Sequence, residues 1–169
     1  KAWNYTDVKY DWENPDKDVF DRVGEAQVLG GELVDNRDYS NGLTDWLTQI
    51  PSGQVVEVVN NQLHVKYDSS ATQSSTGVYQ TFITPHRLYE IKVDVESVVG
   101  TMRVQFGSQV RDITEAGVHT FVITPVSETL YLIRGSDASS CEFFVNSISV
   151  KEVTTHASHI LPTDCKSLL

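Results

Sequence analysis

The sequence is short of thiols, short of methionine and without long apolar runs. It holds two cysteines, Cys141 and Cys165, in 169 residues. There is no Cys-x-x-Cys pair, so neither a zinc ribbon nor a dithiol redox motif is indicated. Cys141 begins an apolar run and reads as a small buried hydrophobe. Cys165 lies in a polar tail, and a bridge between the two stays open. Met102 is the only methionine, so an initiator is lacking. The chain is therefore expected to be processed or cut from something longer. No stretch approaches the ~18 consecutive apolar residues of a membrane span, and no signal peptide is visible. No membrane partner is expected.

Positive charge is also scarce. The net charge is −10, and the first 45 residues carry eleven acids against five bases. Phosphate backbones would be repelled, which argues against a nucleic-acid partner. The acidity reads as a source of solubility. Nucleophile motifs are missing too: no Gly-x-Ser-x-Gly elbow is present. His119 sits in an apolar alternation and reads as a core histidine. His156 and His159 are spaced three apart in the tail, too little for a metal site. No enzymatic activity, cofactor or bound metal is expected.

What is present is β-strand patterning. Tyr89, Ile91, Val93 and Val95 alternate with Glu90, Lys92, Asp94 and Glu96, the pattern of a half-buried strand. Val55, Val56, Val58 and Val59, then Asn60-Asn61, then Leu63, Val65 and Tyr67 predict a hairpin. Pro51-Ser52-Gly53 and Pro85-His86 predict turns, and Asp68 to Gly77 an exposed loop. Met102, Val104 and Phe106 alternate with Thr101, Arg103 and Gln105, which point outward. Gly107 to Gly117 is mostly polar. His119, Phe121 and Ile123 alternate again, and Leu130 to Ile133 suits a central strand. Gly135 to Ser140 is a loop, and Cys141 to Val153 carries Phe143, Val145, Ile148 and Val150. Turn signals every ~8–12 residues without amphipathic helices predict an all-β, jelly-roll β-sandwich.

The stretch from Glu32 to Trp46 organises this plan. It contains Leu33-Val34-Asp35-Asn36-Arg37-Asp38-Tyr39, a turn at Asn41-Gly42, and Leu43 three residues before Trp46. The turn lets Tyr39, Leu43 and Trp46 descend on one apolar surface. This opening resembles the Leu-Val-x-Asn-Gly-Asp-Phe-x-x-Gly-Leu-x-x-Trp start of jelly-roll domains similar to carbohydrate-binding module families four and nine. Arg37 stands where that pattern has Gly, Tyr39 where it has Phe, and His86 where a Pro-Gly turn is usual. The closing Phe144-Val145-Asn146-Ser147-Ile148-Ser149-Val150-Lys151-Glu152-Val153 is similar to Phe-x-Asp-Asn-Val-Ser-Val-Lys-Glu. The domain is read as residues 32–153, with an extended N-terminal arm (1–31) and a short C-terminal tail (154–169). Gly30-Gly31 reads as the hinge before it.

The resemblance implies two sites and one biological setting. Such modules often hold a structural calcium between the opening turn and the closing-motif Asp. Here Asp35 and Asp38 are available, Asn146 replaces the closing acid, and Arg37 adds a cation; turn hydrogen bonds are the other use for these Asp residues. Sugar binding would need outward aromatic platforms. By alternation Tyr39, Trp46, Tyr89, Phe106, Phe121 and Phe143 point inward. Glu90, Lys92, Asp94, Arg103, Gln105, Thr120 and Thr124 make a polar outer face without an aromatic floor. Tyr67, Tyr79, Tyr131 and Phe144 are ambiguous, with core packing expected for at least half.

Domains of this kind also occur as appendages in virion proteins of tailed phages. The expectation is accordingly a non-enzymatic phage virion structural protein, a capsid decoration or a fibre or tail appendage, located on the extracellular particle. Trp3, Tyr5, Tyr10 and Trp12 of the arm would dock it on neighbouring virion subunits, other copies of the chain included. The alternative is a carbohydrate-binding module mediating glycan or host-surface adhesion.

Overall fold

Tyr89, Ile91, Val93 and Val95 are buried on one side of an eleven-residue strand while Lys92 and Glu96 face solvent. This comes from a computed structural model, which describes residues 26–68, 76–135 and 140–156. The arm residues Trp3, Tyr5, Tyr10 and Trp12 lie outside the described residues, as do Cys165 and His159. Leu29–Val153 forms one compact unit, and it is the unit described below.

The described chain is all β. Its strands are β1 (Ala26–Glu32), β2 (Leu47–Gln49), β3 (Val55–Val59), β4 (Gln62–Tyr67), β5 (Gly77–Thr81) and β6 (Tyr89–Val99). They continue as β7 (Met102–Phe106), β8 (Gln109–Ile113), β9 (Gly117–Ile123), β10 (Thr129–Arg134) and β11 (Cys141–His156). Two antiparallel sheets form a jelly-roll sandwich. One runs β3-β4-β11-β6-β9, with β1 also against β11; the other runs β2-β5-β10-β7-β8. Alternate residues of the facing strands fill the space between. Leu63, Val65, Ile91, Val93, Phe143 and Ile148 come from the first sheet; Val78, Met102, Val104, Phe106, Leu130 and Leu132 come from the second.

The local chemistry explains most of the turns. Val59 pairs with Gln62, so Asn60 and Asn61 are a two-residue hairpin loop. Both have positive φ (52° and 59°), as the type I′ turn that fits the strand twist requires. Gln54 N–H donates to Pro51 O, closing the predicted Pro51-Ser52-Gly53 turn. His86 has φ of 65° and its N–H donates to Pro125 O. That left-handed conformation is the one glycine adopts without strain, which accounts for the usual Pro-Gly at this place. Gly77 is different. A Cβ there would run into Leu132 O, because a φ of 151° turns it toward the neighbouring strand β10.

The mostly polar run after Gly107 contains β8, whose Val110 and Ile113 pair with Gln105 and Met102 of β7. Two readings need correction. Gly30-Gly31 is no hinge but lies inside β1. His119 is not a core histidine: among the described residues β9 is an edge strand, and the ring is half-buried with its Nε2 3.0 Å from Glu115 O.

Candidate functional site

The opening loop is held by its own side chains. Asn36 Nδ2 donates to Gly42 O (2.9 Å) and Thr44 O (2.8 Å), and its Oδ1 accepts from Asn41 N–H (3.1 Å). Trp46 Nε1 donates to Asn36 O (3.2 Å). Tyr39, fully buried, packs 5.7 Å from the Trp46 ring. Buried Gln80 from β5 clamps the loop from below, its amide donating to Asp35 O and accepting from Asp35 N–H. A polar residue at an inward position of β5 was the available sequence signal for that clamp.

The side chains of Asp38 and Asn146 each have other work. Asp38 accepts from the Ser40 hydroxyl (2.8 Å) and N–H (3.2 Å), which holds its carboxyl below the usual range. Asn146 is the extra residue of a β-bulge in β11, between the Val145–Val95 and Ser147–Asp94 pairs. Its side chain accepts from Gln62 Nε2 (2.7 Å) and donates to Glu96 (3.1 Å). Among the described residues no group of three or more His, Cys, Asp or Glu side chains could hold a metal.

Glu32 ties β1 to β11. Its carboxylate accepts from Val150 N–H (2.8 Å), the Ser149 hydroxyl (2.6 Å), and the N–H groups of Leu33 and Val34. Burial raises its pKa, yet the bonds from Ser149, Val150, Val34 and Leu33 together outweigh burial and hold the carboxyl below the usual range. Cys141 is buried, with its Sγ 3.2 Å from Thr101 O.

The outer face of the five-stranded sheet carries what sequence alternation missed. Register places Leu47, Tyr79, Tyr131, Gln105 and Val110 in one row across all five strands. Directly opposite residues share a face, and the next residues along, Val78, Leu132 and Val104, are all buried in the core. Tyr79 and Tyr131 are half-exposed and stack on one another, with centroids 5.3 Å apart and planes 29° apart. Leu47 beside them is 57% exposed. So the outer surface is not a polar face without an aromatic floor. Of the four ambiguous aromatics only Tyr67 is in the core; Tyr79, Tyr131 and Phe144 are half-buried, fewer core residues than expected.

Polar groups flank the tyrosines in both directions. On one side Thr81 Oγ1 and Thr129 Oγ1 are 3.0 Å apart. On the other Arg103 makes a two-pronged ion pair with Asp112 at 2.7 and 2.8 Å. Gln105 Nε2 donates to Gly107 O (2.8 Å), which fixes its amide. The row itself contains no charge, and the nearest ion pair neutralises itself. An apolar ring floor edged by hydroxyls and an amide suits a neutral, hydroxylated ring compound. Ring C–H groups lie on the tyrosine faces while hydroxyls find partners at the rim.

The opposite outer face differs. It has a recess of about 340 Å³ lined by Arg37, Glu90, Lys92, Asp94 and Lys151 among others. On the same sheet His64 of β4 and Phe144 of β11 stack face to face, 4.2 Å and 5° apart. The His64 nitrogens are each 3.0 Å from a carboxylate oxygen, of Glu57 and of Glu142. Glu142 also takes Lys66 at 3.1 Å, and hydrogen bonds from His64 and then Lys66 hold its carboxyl below the usual range.

No family model matches the sequence, and no curated protein matches it. Among solved structures the chain is similar to the apo form of CBM1 of BiXyn10A. The identity is 12% and the TM-score 0.50, over 73% of this chain and 97% of that one. It is also similar to the second N-terminal cellulose-binding domain of Cellulomonas fimi β-1,4-glucanase C (12% identity, TM-score 0.49, 78% and 99% covered). A third is the CBM22-1 xylan-binding domain of Paenibacillus barcinonensis Xyn10C (13% identity, TM-score 0.48, 77% and 99% covered). At such identities the likeness is one of fold, and the fold is the jelly roll of carbohydrate-binding modules. The expectation of a phage virion structural protein is thereby corrected. The solved structure that it matches at a TM-score of 0.50 is a carbohydrate-binding module and not a virion protein.

Proposed function

We propose that this protein is a non-catalytic glycan-binding module whose floor is the Tyr79–Tyr131 pair on the outer face of the five-stranded sheet. The observation that carries the reading is that stacked, half-exposed pair in the middle of a charge-free row. Two large aromatics on a solvated face fill no core and complete no buried network, so packing does not account for them. Leu47 extends the floor on one side; Gln105 and the Thr81–Thr129 pair supply hydrogen bonds at its rim. A neutral sugar is favoured over a nucleotide base because the chain carries −10, which repels phosphate. The fold supports the same reading in kind, being one that carbohydrate-binding modules use.

The test is titration of the full chain against a panel of neutral polysaccharides, with Tyr79→Ala and Tyr131→Ala alongside. At least one polysaccharide binds, and each substitution weakens it about tenfold, equivalent to about 1.4 kcal/mol. Because both rings stand on the surface, the thermal midpoint moves little. Binding that survives both substitutions, or no binding across the panel, refutes the assignment.

A further inference from the structure

Sheet edges differ sharply in how they are protected. Edges usually carry a charge, a proline, a bulge or extreme shortness, which blocks pairing with another strand. β3 has Glu57 in its middle, β8 has Arg111 and Asp112, and β2 is only three residues long. β9 has none of these. It runs Gly117-Val118-His119-Thr120-Phe121-Val122-Ile123 with no proline and no carboxylate, ammonium or guanidinium group. Among the described residues it pairs only with β6. Val118 and Val122 on its outer side are 56% and 43% exposed.

The strand is also self-complementary. Antiparallel pairing with its own copy about Thr120 sets Val118 opposite the second copy's Val122, and Thr120 opposite Thr120. On the inner side His119 meets Phe121, and at the ends Gly117 meets Ile123. Valine–valine and threonine–threonine pairs are favourable directly across strands, and no like charges oppose. Displacing the register by one residue would turn the valines to the wrong face.

We propose that β9 is the pairing edge of a symmetric dimer, two copies running antiparallel about a two-fold axis through Thr120. The six-stranded sheets of both copies then continue into one another. A seven-residue edge buries less than the ~1,000 Å² of a strong interface, so the dimer forms reversibly as concentration rises.

A crosslinking experiment reads the register directly. In a Cys165→Ser background, Thr120→Cys puts two thiols on Cα atoms about 5 Å apart across the axis, inside disulfide range. Val118→Cys puts its two copies about 13 Å apart, at ~3.3 Å per residue, outside that range. Mild oxidation is therefore expected to link Thr120→Cys into a covalent dimer while Val118→Cys stays monomeric. In sedimentation velocity over a concentration series, Thr120→Glu raises the dimer dissociation constant about fivefold, since like charges then face each other. In its own sheet that Glu faces Lys92, so folding is not impaired. A monomer at every concentration, equal crosslinking of both cysteine variants, or a dimer indifferent to Thr120→Glu overturns the proposal.

Discussion

The two outer faces of this sandwich are made by the same alternation and end up chemically opposed. On the six-stranded face the polar groups around Phe144 and Asn146 have found one another. Glu57, His64, Glu142 and Lys66 form a chain of contacts at 3.0–3.1 Å, and Asn146 joins Gln62 to Glu96. Even the aromatic there is occupied, since Phe144 lies flat against His64. On the five-stranded face the aromatics stack on each other, and among the described residues of its outer rows the charges belong to one ion pair, Arg103 with Asp112. A face whose groups satisfy one another contributes to holding strands together. One that leaves rings and rim donors facing water is suited to bind.

The comparison can be broken most severely at Gly77. A Cβ at that position runs into Leu132 O, so Gly77→Ala must push β5 from β10. Destabilisation of about 3 kcal/mol is expected, read from the denaturant midpoint, and glycan binding goes with it because Tyr79 and Tyr131 sit on those strands. A midpoint within error of wild type would show that the two strands separate easily.

Glu32→Ala comes next and touches only the first sheet. Loss of a carboxylate with four donors costs about 2 kcal/mol and leaves binding on the other face intact. Its pH signature has a definite sign. The folded carboxyl is held below the usual range, so its contribution is complete above the unfolded carboxylate value near ~4.3. It is lost as pH falls through the lower folded value. The variant should therefore lose part of the wild type's acid sensitivity in that window; an unchanged acid limb would assign it elsewhere.

The smallest effect is expected at Tyr39, the residue standing where related openings have Phe. Its hydroxyl is buried and without a hydrogen-bond partner among the described residues, and burial pushes its ionisation far up. Removing an unsatisfied polar group relieves a desolvation cost. Tyr39→Phe should thus gain about 1 kcal/mol in thermal or denaturant unfolding, and a loss would point to a partner for that hydroxyl.

These residues also mark what the sequence could and could not disclose. Strand β6 and the Asn60-Asn61 hairpin are legible because period-two alternation and turn chemistry are local properties. Tyr39, Leu43 and Trp46 are legible as an anchor for the same reason, and all three join the core or pack against it. Tyr79 and Tyr131 are left open by alternation, and their pairing into a platform is not legible. Tyr131 sits in an unbroken apolar run, and only the β5–β10 register brings it to Tyr79. His119 was misread because alternation reports which face a residue takes, not whether its strand is at an edge. The virion setting was inferred from the company such domains keep and from the aromatic arm at Trp3, Tyr5, Tyr10 and Trp12, which lies outside the described residues.

The central claim separates the two faces, and one measurement does the same. Affinity for the best neutral polysaccharide should be compared in Tyr79→Ala/Tyr131→Ala and in Phe144→Ala, each confirmed folded. The account predicts that the double tyrosine variant loses binding and the Phe144 variant keeps it. Retention by the tyrosine variant with loss in the Phe144 variant would put the site on the other sheet and contradict it.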